Sequence, residues 1–330
     1  MLYPLVRRCL FTLDAERAHR LTLRALRIAG HLPPTTIPGD PVSLLDLQFP
    51  NRVGLAAGFD KIGEAVNGIG RLGFGFIEVG TVTPRPQSGL AAPRLFRLAG
   101  QKALINRMGF PNDGADACAL RLRRRRFRGV VGVNIGKNAD TPMERATDDY
   151  LAALRAVHGV ADYVALNISS PNTASLRELH EERHLKPLLD AMVRERDRLN
   201  RASGRKRLPL LLKISPDLDR PMLEGVSVVV RESGIDGVIA ANTTVQRPGV
   251  PEGSEAGGLS GEPLHALAME TIVSLRALLG PNFPIVGVGG IDSPASAASL
   301  RNAGADLVQL YTGLVYQGPR LIRACVAALQ

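Results

Sequence analysis

Residues 129–172 read GVVGVNIGKNADTPMERATDDYLAALRAVHGVADYVALNISSPN, and this stretch decides the fold class. Its ends, 130–135 and 163–169, are short and almost continuously apolar, the pattern of strands covered on both faces of a parallel sheet. Between them, 145–157 carries apolar residues at helical spacing. The result is one strand–helix–strand unit, and each strand runs out into asparagine, serine or lysine. The unit recurs on both sides. Further strand-like runs lie at 53–57, 76–80, 210–214, 237–242, 285–290 and 307–312. Helical patterns fall at 62–72, 112–126, 181–201, 219–233, 263–279 and 293–303, with 319–328 closing the chain. Eight such alternations predict an α/β fold, a single (β/α)8 TIM barrel. A doubly wound open sheet fits less well, because no Gly-x-Gly-x-x-Gly turn follows the first strand. The interval 81–111, broken by Pro84, Pro86, Pro93 and Pro111, is expected to be long and irregular.

The chain has 330 residues and 45% hydrophobic content, which excludes a disordered protein and suffices for a substantial core. Three scattered cysteines, Cys9, Cys118 and Cys325, cannot form a disulfide framework. No run approaches the roughly 20 apolar residues of a spanning helix. The net charge of +10 is concentrated. Residues 1–39 hold six arginines against Asp14 and Glu16, and residues 121–128 hold six arginines and no acid, so the two patches carry +4 and +6. Such a balance suits nucleic acid or an anionic membrane. The simpler reading of Arg121–Arg128 is a solvated helix face. Aromatic content of 4% without tryptophan leaves few stacking platforms for bases.

The first 40 residues stand outside the repeat. Leu2, Val6, Leu10 and Leu13, then Leu21, Leu23, Leu26 and Ile28, follow near-helical spacing, with arginines between them, until Pro33, Pro34 and Pro38. Two short basic amphipathic helices joined near Asp14 can lie in a membrane interface or cap the bottom of the barrel. Charge interrupts the apolar positions throughout, so a secretory signal is not expected.

In a barrel of this kind the strand ends and the loops after them carry the chemistry. Those positions hold Ala57-Gly58-Phe59-Asp60-Lys61, Thr81, Asn106-Arg107-Met108-Gly109-Phe110, Asn134, Asn167 with Ser170 and Asn172, Lys213, and Ala241-Asn242-Thr243. After them come Gly261, Gly290 and Tyr311-Thr312. Converging amides suit a neutral ring with alternating N–H and C=O groups, such as a pyrimidine or a flavin. The glycines at 257–261 and 287–290 lie where these barrels commonly bind phosphate. The chain uses 35 arginines but only six lysines, yet Lys61, Lys137 and Lys213 all sit at strand ends. A compact point charge is wanted there. No metal-ligand spacing appears among the histidines and cysteines. His180 and His184, beside Glu181, Glu182 and Arg183, read as a solvated face.

These motifs, in this order, resemble the quinone-dependent class 2 dihydroorotate dehydrogenase family over essentially the whole chain. The resemblance implies a barrel holding FMN that converts dihydroorotate to orotate in pyrimidine biosynthesis and returns electrons to a membrane quinone. It implies that Ser170 is the catalytic base, taking the C5 proton while hydride leaves C6, with Thr173 and Phe110 on a proton exit. It assigns substrate contacts to Lys61, Asn106, Arg107, Met108, Gly109, Phe110, Asn167, Asn172, Asn242 and Thr243. Flavin contacts fall to 57–61, Thr81, Asn134, Asn167, Lys213, Ala241, Gly261, Gly290, Tyr311 and Thr312. His19, Arg97 and Tyr311 match the quinone head. Ser170, where class 1 relatives place cysteine, and the N-terminal extension carry the class assignment. Pro111 and Ala241 depart from the residues that relatives place there.

The expectation is therefore a membrane and quinone-access extension at 1–40 and an FMN-binding barrel at 41–330. The enzyme is expected to be a monomer that binds no nucleic acid and no metal. It is expected peripherally on the cytoplasmic face of a bacterial inner membrane, touching anionic lipid through residues 1–40. A class 1 enzyme, a flavin barrel acting on RNA and a membrane scaffold are the competing readings. The last leaves the strand-end constellation unexplained.

Overall fold

A computed structural model describes residues 2–173, 175–204 and 207–330. Met1, with which the expected extension begins, lies outside them. Eight parallel strands close into a barrel: Val53–Leu55, Phe76–Val82, Val130–Ile135, Tyr163–Asn167, Leu210–Lys213, Gly237–Ala240, Ile285–Val288 and Leu307–Leu310. Neighbours follow chain order, and the eighth closes on the first with Val308 opposite Val53. All eight expected runs are strands. Most stop a few residues earlier than the apolar pattern does, which leaves the polar residues after them free to face a site.

The barrel interior is filled, not hollow. Phe76, Tyr163, Ala165, Leu211, Ile239, Val286 and Leu307 pack into one cluster. Glycine in the neighbouring strands makes room for the large rings. A Cβ on Gly54 would stand 2.4 Å from the Phe76 ring, and one on Gly132 would stand 2.0 Å from the Tyr163 ring. A second, larger cluster joins the outer strand faces to the helices. The bottom is closed by a hairpin, Val42–Leu44 and Leu47–Phe49, whose Phe49 meets Phe76 edge-on at 5.4 Å. Burying such a ring contributes about 1.5–3 kcal/mol.

The interval 81–111 is not irregular throughout. Leu95–Leu98 and Ala103–Asn106 pair around a tight turn at Ala99–Gln101, and Gly258–Gly261 joins as a third strand. Four-residue strands are too short to show periodicity, and the third comes from a distant part of the chain. The glycines at 258–261, expected as a loop, are thus a sheet strand over the barrel mouth. The segment expected as helix 62–72 is helical only at Val66–Gly70. Thr312–Gln317 forms a short helix that begins where the expected eighth run ends and fills a stretch to which the sequence assigns no element.

The helix expected over 112–126 stops at Leu122, so most of the arginine run is not a helix face. Asn67 Oδ1 accepts the Arg126 and Phe127 N–H groups at 2.6 and 3.1 Å, turning the backbone out of the helix. Arg125 pairs with Asp162 at 2.8 Å, and Arg126 donates to the Gly30 carbonyl. Extending the helix would also have stacked like charges at i,i+4 spacing. Arg123, Arg124 and Arg128 are exposed.

The N-terminal segment forms α1 (Leu2–Phe11) and α2 (Ala15–Ala29). Asp14 caps α2 by accepting the N–H groups of Glu16 and Arg17, both at 3.0 Å. These helices do not cap the barrel bottom, which the hairpin occupies. They lie toward the mouth. Arg94 grips Glu16 through both carboxylate oxygens, and Arg97 donates to the Phe11 carbonyl at 3.0 Å. Tyr3 and Arg7 clasp the backbone of the 312–317 helix, at Val315 and Tyr316. Ala18 and Leu23 are buried, while Leu5, Val6, Leu13, Leu21 and Ile28 are exposed. Among the described residues no helix is long and apolar enough to cross a membrane. Cys9 is exposed on α1, whereas Cys118 and Cys325 are buried in the barrel wall.

The contact that seats α2 is specific. A Cβ on Gly68 would fall 1.8 Å from the Leu26 carbonyl oxygen. Gly68→Ala is therefore expected to lift α2 at a cost of about 1–3 kcal/mol. Limited proteolysis should release the first 30 or so residues faster; an unchanged cleavage rate would disprove this seating.

Candidate active site

Two cavities meet at the C-terminal ends of the strands. The inner one, about 150 Å³, is lined by residues from the strand ends and from the three-stranded sheet. Its wall includes Ala57, Gly58, Lys61, Thr81, Asn106, Met108, Gly109 and Phe110. Asn167, Ser170, Asn172, Lys213, Ala241, Asn242, Thr243, Gly261, Gly290, Tyr311 and Thr312 complete the expected set. The outer cavity, also about 150 Å³ and mostly apolar, lies beneath α1 and α2 and has His19, Phe59, Arg97 and Tyr311 on its wall. Leu95, Leu104 and Tyr311 line both cavities, so they form the partition.

The polar groups of the inner cavity form one directed chain of hydrogen bonds. Asn242 Nδ2 donates to Ser169 Oγ at 2.9 Å and to Asn167 Oδ1 at 3.3 Å. Asn167 Nδ2 donates to Thr81 Oγ1 at 3.0 Å, and that hydroxyl donates to Asn134 Oδ1 at 2.6 Å. Asn134 Nδ2 ends the chain on Glu78 Oε1 at 2.8 Å. Across the mouth, Asn172 Nδ2 donates to Asn106 Oδ1 at 3.2 Å. The amides are thus held at fixed orientations rather than free to turn.

Ser170 is buried, and its Oγ accepts the Asn172 N–H at 3.3 Å. The loop after it is braced by Arg177, which pairs with Asp217 at 2.9 Å. Lys61 Nζ donates to the Gly58 carbonyl at 2.6 Å. Burial pushes its ammonium down to about 8; Glu16 opposes that shift and Arg94 adds to it. His19 is held down to about 3, first by burial and then by the charge of Lys61, so its ring is neutral. It meets Phe59 edge-on at 5.1 Å. Burial pushes the Tyr311 phenol up to about 12.

Four expected residues place their side chains behind the inner wall. Asp60 accepts the N–H groups of Glu64 and Ala65 at 3.0 and 2.8 Å and so shapes the turn into the Val66–Gly70 helix. Phe59 faces the outer cavity. Asn134 lies one layer down, between Thr81 and Glu78. Arg107 points away, onto Glu255 at 2.9 Å and the face of Phe96. Next to Pro111, Asn112 steadies the 106–110 loop by donating to the Phe110 carbonyl at 2.8 Å and accepting the Thr83 N–H at 3.2 Å. His180 is buried and accepts the Ser215 N–H; it is not part of a solvated face. Glu78, Gln309 and Ser260 were missed by sequence reasoning. Glu78 is the one acidic residue in the eight strands, and that was a usable signal.

Fold and site together define a (β/α)8 barrel with an amide-lined cavity at its strand ends and a second, apolar cavity beside it. A family model described as dihydroorotate dehydrogenase matches residues 41–330. A dihydroorotate dehydrogenase (quinone) of Azoarcus sp. is 49% identical over 99% of this chain and 98% of its own. One from Paraburkholderia phymatum is 51% identical over 99% and 97%. The structure of the Eimeria tenella DHODH with ferulenol superposes with a TM-score of 0.89 at 38% identity, covering 95% of this chain and 90% of that one. The chain belongs to the dihydroorotate dehydrogenase family, which is flavin-dependent.

Lys61 is expected to titrate near 8 in the ligand-free protein. A ¹³C-dimethyl-lysine NMR titration should show one resonance moving there and lost in Lys61→Met; every lysine titrating near 10 would refute the burial argument.

Proposed function

We propose that the chain oxidises dihydroorotate to orotate in pyrimidine biosynthesis, with FMN as its flavin and a membrane quinone as the electron acceptor. The observation that carries this reading is the pair of cavities, one polar and one apolar, separated only by Tyr311, Leu95 and Leu104. A flavin held by the inner-cavity residues would supply the two-electron chemistry, with the polar cavity suited to the substrate and the apolar one to a quinone.

The residues present fit FMN. Buried Gln309 leaves its Oε1 without a partner at the inner cavity, where a ring N–H would satisfy it. Lys213 would face the ring's N1–C2 edge. Asn134 and Thr81 would steady the ring from below. Gly261, Gly290 and Thr312 would offer backbone and hydroxyl donors to the phosphate. The segment 57–61, Ala241 and Tyr311 would enclose the ring, with Phe59 and Asp60 acting from behind it.

Dihydroorotate would be held by Asn106, Asn172, Asn242, Thr243 and Asn167, with Met108, Gly109 and Phe110 closing over it. Arg107 would hold that loop from outside through Glu255. Lys61 would receive the substrate carboxylate. Ser170 Oγ would take the C5 proton. A serine is a weak base, so the Asn172 N–H helps by stabilising charge as it grows on the oxygen. Buried Thr173 would pass the proton on through water, with the Phe110 ring only bounding that path.

The quinone would enter the outer cavity. Nε2 of His19 is buried there without a partner; with the ring neutral and its other nitrogen bonded to the Phe59 backbone, it would accept from the hydroxyl of a reduced quinone, and Arg97 would donate to a quinone oxygen. Exposed Leu21, Ile28 and the arginines of α2 support peripheral binding to an anionic membrane, on the cytoplasmic side of the inner membrane. In this reading residues 1–40 are the access module, 41–330 the catalytic barrel, and the enzyme works as a monomer.

Purified protein should be yellow, bleached by dihydroorotate and recoloured by a short-chain ubiquinone. Ser170→Ala should keep its FMN yet lose at least 100-fold in the rate of bleaching at pH 7. Bleaching at the wild-type rate would remove Ser170 from the role. Because Lys61 loses its proton as pH rises through about 8, the dihydroorotate KM should climb above that pH. A steady-state pH series on the wild type and Lys61→Met checks it, the variant being weak and flat across the range. Leu21→Ser with Ile28→Ser should weaken binding to anionic liposomes and slow quinone turnover while bleaching stays unchanged.

A further inference from the structure

Glu78 is a buried carboxylate, and no step proposed above uses it. Its two oxygens accept three hydrogen bonds and face one ammonium. Asn134 Nδ2 donates to Oε1 at 2.8 Å, Tyr163 Oη and Gln309 Nε2 donate to Oε2 at 2.9 and 2.8 Å, and Lys213 Nζ stands 3.6 Å from Oε1 as an ion-pair partner. Three donors and a nearby cation match the acceptor-only character of a carboxylate. Burial, together with the charge of Glu78, holds the Tyr163 phenol well above its ordinary value, so it remains a donor.

Two consequences follow from this arrangement. Gln309 must turn its nitrogen toward Glu78, because the reversed amide would set oxygen against oxygen. Its Oε1 is therefore turned away from Glu78, and among the described residues it is one of only two buried side-chain polar atoms without a partner, on a residue that lines the inner cavity. An unpaired buried acceptor is costly, and a ligand N–H would recover that cost. Lys213, at the same wall, does not present a full isolated charge, since a carboxylate stands 3.6 Å behind it.

We propose that Glu78 is a positioning residue for the bound flavin. It aims Gln309 Oε1 at the ring's imide N–H, and it offsets Lys213 so that the site favours the reduced, more negative ring less than a lone lysine would. This rests on the FMN reading given above and deepens it. Glu78 also terminates the amide chain Asn242–Asn167–Thr81–Asn134, so one carboxylate sets both ring registration and charge balance.

The test uses the full-length protein stripped of flavin and reconstituted with FMN or with N3-methyl-FMN, which lacks the imide N–H. Wild type should bind FMN at least tenfold more tightly than the methylated ring, and Gln309→Met should lose most of that preference. Glu78→Gln should favour reduced over oxidised FMN by at least a further tenfold, read by potentiometric titration as a midpoint about 30 mV more positive. If Glu78→Gln does not fold, Glu78→Gln with Lys213→Gln is compared with Lys213→Gln alone, and the same direction is expected. An unchanged N3-methyl preference in Gln309→Met overturns the first half. An unchanged midpoint in the Glu78 comparison overturns the second. A wild-type protein that binds no FMN at all would instead refute the cofactor reading.

Discussion

A single carboxylate in the middle of a closed barrel is the constraint around which the site is arranged. Glu78 sits in the second strand, fully buried, and is the one acidic side chain in the eight strands. A charge in that position is tolerable only if every lone pair is met and a counter-charge is near. The chain meets that demand with residues from four other strands: Asn134, Tyr163, Lys213 and Gln309. Each is thereby fixed in orientation, and the upper amides inherit their orientation from Asn134 through Thr81 and Asn167. The preorganisation of the inner cavity is thus a consequence of satisfying one buried anion.

The barrel's packing and its chemistry are linked through the same rings. Tyr163 fills the interior because Gly132 vacates the space beside it, and its hydroxyl is what reaches Glu78. Phe76, accommodated by Gly54, packs on Phe49 of the bottom hairpin. Below Glu78 the barrel is therefore solid, and a ligand can approach only from the strand ends. The three-stranded sheet and α2 cover that approach, and they leave two openings of opposite polarity.

Much of this was legible in the sequence, for reasons that differ by residue. The eight strands show because parallel strands buried on both faces read as plain apolar runs. The strand-end asparagines, Lys61, Lys213 and Ser170 show because polar residues interrupting such runs have to face something. The small sheet does not show. Leu95–Leu98 and Ala103–Asn106 are only four residues each, and their partner at Gly258–Gly261 carries glycines that resemble a loop. The end of the helix at Leu122 does not show either, because the capping oxygen comes from Asn67 on a different element. Glu78 was visible as the one acid in the strands, but its importance lies in four long-range partners that no local pattern contains.

The three thiols carry a consequence for durability. Burial pushes Cys118 and Cys325 up to about 12, so at neutral pH neither is a thiolate. A protonated, enclosed thiol is a poor nucleophile and a slow target for peroxide. The barrel wall therefore offers oxidants no reactive sulfur. Oxidative wear falls first on Cys9, on the outer helix, where a modified side chain leaves the catalytic barrel intact.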